Sequence, residues 1–367
     1  MPVIEKPLET AVTTGHRKQY AYIDAIRVFA ICMIIVLHSI YMHFNNVSNS
    51  ESRLWWLMSY VNELTRTGVP LFFMISGFLH INSDSPNRPW QFYKKRFAKL
   101  ILPFLIYDAF YYCYYCIRLG NPLSISGFFT DLINCGSAMH MWFIYSILAI
   151  YLLIPFIKKA ADSFSPKMMT LLFLLAIFQN TIKPLINFLL DGRATLFLTD
   201  DGFIGYIGYV ILGYLLGKYE LKRGAETAIY ILGILSFIFF PIINGIVAIK
   251  TGAPFFNGGC TVNHYIEAAA LFLLFKRFRY VRIKKPLKFL AGLCMTTFFI
   301  HEFILEQIAA KLLLLPLPPW LYYFLLCIIA LPLNFAAAFV IETITRAVKK
   351  MLTRKTDGGS KRYSDAK

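Results

Sequence analysis

Runs of about twenty apolar residues, separated by short polar links, recur along this whole chain and constrain its fold more than any single motif does. Crossing a hydrocarbon layer of about 30 Å takes roughly 20 residues of helix. Ten runs approach that length, near 21–43, 55–81, 97–117, 140–157, 168–190, 203–217, 226–249, 262–275, 287–310 and 320–347. The sixth and eighth are short and could be tilted differently or broken. Inside hydrocarbon every backbone N–H and C=O must find its partner within the protein, which a helix achieves by itself. The expectation is an all-α polytopic membrane protein of about ten transmembrane helices. Composition agrees, with 57% apolar and only 16% charged side chains.

The formal charge of +17 would suit a nucleic-acid partner only if cations and aromatics were interleaved on one soluble domain. They are not, and no nucleic acid is expected. Lys and Arg gather in alternate links instead: "HRK" at 16–18, "NRPWQFYKKRFAK" at 87–99, "KK" at 158–159, "GKYELKR" at 217–223, "KRFRYVRIKK" at 276–285 and the tail after Lys349. The other links, such as "NNVSNSESR", "DGRATLFLTDDG" and "KTGAPFFNGGCTVN", hold few cations. By the positive-inside rule both termini are predicted to be cytoplasmic. The 276–285 loop would also meet anionic lipid.

The predicted organisation is a cytoplasmic segment 1–20, a transmembrane domain 21–349 and a basic, disordered cytoplasmic tail 350–367. No cleavable signal peptide is expected, since the first apolar run lacks a small-residue cleavage site at its end. Cys32, Cys294 and Cys327 read as small hydrophobes in helices. Cys113 and Cys116 form a lone C-x-x-C without a second ligand pair, so no metal site is expected.

The first run, "DAIRVFAICMIIVLHSIY" at 24–41, places an arginine eleven residues before a histidine. Eleven steps of about 100° make three turns plus roughly 20°, and span about 16 Å of helix axis. Arg27 and His38 therefore share a face, and Asp24 can pair with Arg27 from one turn earlier. Two readings stand. Arg27 could snorkel to one interface while His38 caps the other end, or the pair could be a functional stripe, because ionisable groups inside a membrane are costly.

This first helix, "YIDAIRVFAICMIIVLHS" at 22–39, resembles that of the acyltransferase-3 family of integral-membrane O-acyltransferases. Four further blocks match in family order: "TGVPLFFMISGFL" at 67–79, "FYKKRFAKLILPF" at 92–104, "HMWFIYSILAIYLLIPFI" at 140–157 and "LAGLCMTTFFIHEF" at 290–303. The chain looks most like members that acetylate bacterial surface polysaccharides, the enterobacterial common antigen type among them. Family members usually carry arginines in the basic segment where this chain has Lys95, Arg96 and Lys99, and the residues before the last histidine are altered to "MTTFF".

The resemblance implies transfer of an acetyl group from cytosolic acetyl-CoA, a co-substrate rather than a cofactor, to a hydroxyl of a surface polysaccharide or its polyprenyl-linked precursor at the bacterial inner membrane. A polyphosphate donor needs cations at the inner surface. Asp24, Arg27, Lys94, Lys95, Arg96 and Lys99 map there. Removing the hydroxyl proton calls for a base such as neutral histidine, and His38, His140, His264 and His301 map to the outer half. His38 is the preferred base, assisted or replaced by His301 with Glu302 beside it, while His140 and Trp142 fall on the acceptor side or act as interfacial anchors. His264 and His43 are outer-loop residues without a motif. Ser76, in "ISG" at 75–77, reads as helix packing, and as a nucleophile only with a base in reach. A polysaccharide exporter or proton-coupled transporter is the alternative, since membrane-embedded His and carboxylates also relay protons. Such transporters commonly show two related halves, and no repeat is visible here.

Overall fold

The predicted runs are helices, and the way they pack follows from where they carry small residues. The computed structural model describes residues 3–4, 12–14, 17–41, 53–189, 203–251, 259–278 and 284–364, with side chains described over 20–41, 53–178, 205–247, 259–278 and 285–351. His43 lies outside the described residues. Twelve helices are described: α1 (Ala21–Tyr41), α2 (Arg53–Thr65), α3 (Gly68–Ile81), α4 (Pro89–Leu119), α5 (Ile125–Ile133), α6 (Trp142–Ser163), α7 (Pro166–Leu189), α8 (Phe203–Lys218), α9 (Arg223–Thr251), α10 (Val262–Arg277), α11 (Lys284–Leu312) and α12 (Pro319–Ser364).

Among the described residues, seven stretches are long and apolar enough to cross a membrane, the α2–α3 pair counting as one. The chain is a multi-pass, all-α membrane protein. At 16 residues each, α8 and α10 reach only about 24 Å. The outer helices α9 and α12 turn Leu232, Leu235, Phe239, Phe324, Ile328 and Phe339 outward, as a lipid-facing surface requires.

Four short strands accompany the helices. β1 (Val3–Ile4) pairs antiparallel with β4 (Glu220–Leu221), and β2 (Val12–Thr14) pairs with β3 (Arg17–Gln19). The β1–β4 pair brings the amino terminus to the α8–α9 link, so two cation-rich segments share one end of the bundle.

The centre is α1, which packs against α2, α3, α10, α11 and α12. Its fully buried Ile26, Ala30, Ile31 and Ile35 follow one another in steps of four, one and four, the pattern of a helix face. Beside it, α3 and α8 approach almost backbone to backbone. A Cβ built on Gly77 would stand 1.9 Å from the Val210 carbonyl oxygen, and one on Gly213 would stand 2.1 Å from that of Met74. Small residues permit such contact where no aqueous hydrophobic force drives helices together, which supplies the packing role expected of "ISG". Gly77→Val and Gly213→Val are expected to lower the unfolding temperature in detergent by at least the equivalent of the ~1–3 kcal/mol typical of overpacking. Wild-type melting of both variants would refute the close contact.

Three features differ from the sequence reading. The run at 55–81, expected as one helix, is broken around Arg66 and Thr67. Thr65 and Thr67 hydroxyls donate to the Val61 and Leu64 carbonyls at 2.7 and 2.9 Å, and Pro70 lacks an N–H to continue the ladder. The link after α4 contains a further helix, α5, started by the Ser124 hydroxyl accepting from the Gly127 N–H at 2.9 Å. The tail expected to be disordered continues α12 to Ser364. Extending an existing helix needs no new nucleus, so a polar tail can follow a membrane helix.

Candidate active site

At the end of the bundle where α1 finishes, three histidines from distant parts of the chain meet. His38 comes from the last turn of α1, His301 from the middle of α11, and His140 from a 3-10 turn at Met139–Met141 leading into α6. Ring centroids lie 4.9 Å apart for His38 and His301, 4.8 Å for His140 and His301, and 6.4 Å for His38 and His140. His301 is wholly buried and His140 is 2% exposed, whereas His38 is partly accessible.

The hydrogen bonds assign the neutral tautomers. His301 Nδ1–H donates to the Phe298 carbonyl at 2.6 Å. A neutral imidazole has one N–H, so His301 Nε2 is an acceptor, and the 2.7 Å contact to His38 Nδ1 is a bond donated by His38. His38 Nε2 is therefore left with its lone pair, the state a general base needs. His140 Nδ1–H donates to the Glu302 carboxylate, and its buried Nε2, also a lone-pair nitrogen, has no hydrogen-bond partner.

Glu302 thus serves His140 and not its sequence neighbour His301, since adjacent residues on a helix point about 100° apart. Tyr111 on α4 fastens this part of α11. Its hydroxyl donates to the Phe299 carbonyl at 3.0 Å and accepts from the Phe303 N–H at 3.1 Å, bridging the two ends of an ordinary helical hydrogen bond. Its ring lies edge-on to His140, centroids 5.2 Å apart. One turn further, Glu306 accepts from Tyr114 and Tyr115 at 2.9 and 2.8 Å and pairs with Arg118. No motif points to Tyr111, and the only hint in the sequence is the density of tyrosine in "FYYCYYC".

At the other end of α1, Arg27 donates to Asp24 Oδ1 at 2.9 Å, the pairing expected from their spacing. Arg96 of α4 is half-buried, with its guanidinium 5.6 Å from the centre of the Phe92 ring. Both arginines and Ser76 lie within electrostatic range of the half-buried Tyr151 hydroxyl. Lys94, Lys95 and Lys99 are exposed. The basic segment therefore divides, with Arg96 turned toward Arg27 and the three lysines away. Ser76 sits in this group, and the three-histidine cluster is formed without it.

Trp142, expected on the acceptor side, and His264, set aside as an outer-loop residue, are not members of the three-histidine cluster. Trp142 packs on Tyr206 and Phe143, with centroids at 5.6 and 6.4 Å, as part of the apolar interior. His264 belongs to a second buried polar group, where its Nδ1 meets the Thr261 hydroxyl at 2.8 Å, its Nε2 is 3.4 Å from Glu63, and Asn263 donates to Glu63 at 2.5 Å.

The model of the acyltransferase domain family matches residues 20–339, nearly the whole helical bundle. The chain belongs to the acyltransferase-3 family. Comparison with curated proteins and with solved structures gave no match. Membership makes the chain a membrane acyltransferase in class, and the matched range contains the three histidines, Glu302, Asp24, Arg27 and Arg96 together. Each of the five sequence blocks that carry the likeness supplies a residue to one of the two polar groups at the ends of α1, and the block at 67–79 supplies the Gly77 contact as well.

Proposed function

We propose that this acyltransferase moves an acetyl group from acetyl-CoA to a hydroxyl of a surface polysaccharide, or of its lipid-linked precursor, at the bacterial inner membrane. The observation that carries this reading is the tautomer chain from the Phe298 carbonyl through His301 to His38, which leaves the His38 Nε2 lone pair free. Both termini are taken as cytoplasmic, which sets Arg27 and Arg96 beside the cytosolic donor and the histidines beside the acceptor.

In the proposed reaction Arg27, held by Asp24, and Arg96 bind the donor phosphates, and the acyl-bearing arm runs along α1 toward His38. Phosphate suits guanidinium because two parallel N–H groups match two oxygens. His38 Nε2 takes the proton of the acceptor hydroxyl as its oxygen forms a bond to the acyl carbon. The C–S bond breaks, the sulfur leaves as thiolate, and the thiolate is protonated by the imidazolium. His301 holds the His38 tautomer throughout, and Glu302 does the same for His140.

Purified protein should consume acetyl-CoA only when a glycan acceptor is present, and the acetyl group should appear as an ester on the sugar. Net glycan or proton movement across sealed vesicles without acetyl-CoA consumption would instead establish a transporter. The buried Glu63–His264 group is what that second reading would draw on.

A further inference from the structure

Beside His140 lies a second acceptor-rich feature that the transfer chemistry leaves unused. Asp108 of α4 is wholly buried. One carboxylate oxygen accepts from the Ser137 backbone N–H at 2.8 Å, while the other has no hydrogen-bond partner. The Ser137 hydroxyl faces the same carboxylate without completing a hydrogen bond. Asp108 is also within electrostatic range of His140, whose Nε2 joins the second Asp108 oxygen and the Ser137 hydroxyl as a third buried atom here without a hydrogen-bond partner.

The turn that joins them is built for close approach. Gly136 has φ +89°, and a Cβ there would stand 2.8 Å from the Asp108 carboxylate and 3.0 Å from Met141. Cys135 adopts φ +77°, a conformation that side chains other than glycine rarely take.

The chemistry of these three atoms defines what fits them. A carboxylate oxygen is an acceptor, Glu302 fixes His140 Nε2 as an acceptor too, and the Ser137 hydroxyl can donate or accept, so a partner that satisfies both acceptors must donate at two points and can accept at a third. Leaving such atoms buried and unpaired is costly, and a bound donor relieves it. A neutral polyol has adjacent hydroxyls that donate, whereas an acidic sugar would bring its carboxylate against that of Asp108.

We propose that Asp108, the Ser137 turn and His140 form the acceptor subsite, and that it takes a neutral sugar through two hydroxyl groups and rejects uronic acids. This assignment rests on the acyl-transfer reading for its role, although sugar binding can be measured without any turnover.

The test uses the full-length protein in detergent, with methyl glucoside, methyl N-acetylglucosaminide and methyl glucuronide as probes. Saturation-transfer NMR should show the wild type binding at least one neutral glycoside and not the glucuronide. Asp108→Asn keeps an oxygen for the Ser137 N–H but replaces the free acceptor with a donor, and its melting temperature reports whether it folds. It should weaken binding of the neutral glycoside at least tenfold, and raise the acceptor KM by a similar factor with a much smaller change in kcat.

Unchanged binding and KM in a folded Asp108→Asn protein would overturn the subsite. So would equal binding of glucuronide and neutral glycosides by the wild type, or binding of none of the three, measurements that need no variant. If the wild type binds neutral glycosides through Asp108 but never consumes acetyl-CoA, the sugar site stands and the acetyl-transfer reading fails.

Discussion

His38→Ala is expected to abolish acyl transfer, lowering turnover by on the order of 10²- to 10⁴-fold, the usual contribution of a positioned general base, while acetyl-CoA still binds. The expectation follows from the bonding pattern, in which the His301–Phe298 contact leaves His38 as donor through Nδ1 and lone-pair bearer at Nε2. His301→Ala removes the partner that holds this tautomer but leaves the base, so it should lower turnover less than His38→Ala does. Moving the histidine back one position, by Leu37→His with His38→Leu, rotates it about 100° away from His301 and should yield an inserted but inactive protein. Turnover and donor affinity measured on the same preparations check all three. Near-normal turnover of His38→Ala would pass the role of base to His140, whose Nε2 is also without a proton.

The donor end should respond differently. Arg27→Ala and Arg96→Ala are each expected to raise the acetyl-CoA KM by about 10- to 100-fold, as loss of a charge-assisted hydrogen bond worth about 1.5–3 kcal/mol implies. Activity should recover partly at high donor concentration. Lys95→Ala and Lys99→Ala should change the same KM only a few-fold, because these side chains are exposed while Arg96 is half-buried near Tyr151. Arg27→Lys keeps the charge and loses the planar fork, so a large effect there would indicate shaped contact with phosphate. An equal response from all four alanine variants would contradict the division of the basic segment.

Much of this was legible in the sequence where the information is local. Run length and backbone hydrogen-bonding demand gave the helices, and the angle of about 100° per residue gave the shared face of Arg27 and His38 and the Asp24 contact. Contacts between distant segments were not legible. His38 and His301 are 263 residues apart and His140 and Glu302 are 162 apart, so no periodicity relates them. Adjacency misled in one case, since Glu302 stands beside His301 in the chain and bonds His140 in the fold. Trp142 reads from the sequence as an acceptor-side residue or an interfacial anchor, and its contact with Tyr206 joins segments too far apart in the chain for spacing to show. The break at Arg66–Thr67 was hidden because hydropathy averages over a window and does not register threonine hydroxyls bonding back to the preceding turn. Asp108 carried no signal at all: a single carboxylate in an apolar run has no spacing to read.

The distance along α1 between Arg27 and His38, about 16 Å by the rise of a helix, has an electrical consequence. On the proposed reading the phosphates of the donor stay at one end and only the uncharged acetyl group is delivered at the other. Each unit charge carried through 100 mV would add or remove about 2.3 kcal/mol, a burden that a neutral passenger escapes. A cell could therefore decorate its exterior at the same rate whether its membrane is energised or discharged, drawing on the thioester alone.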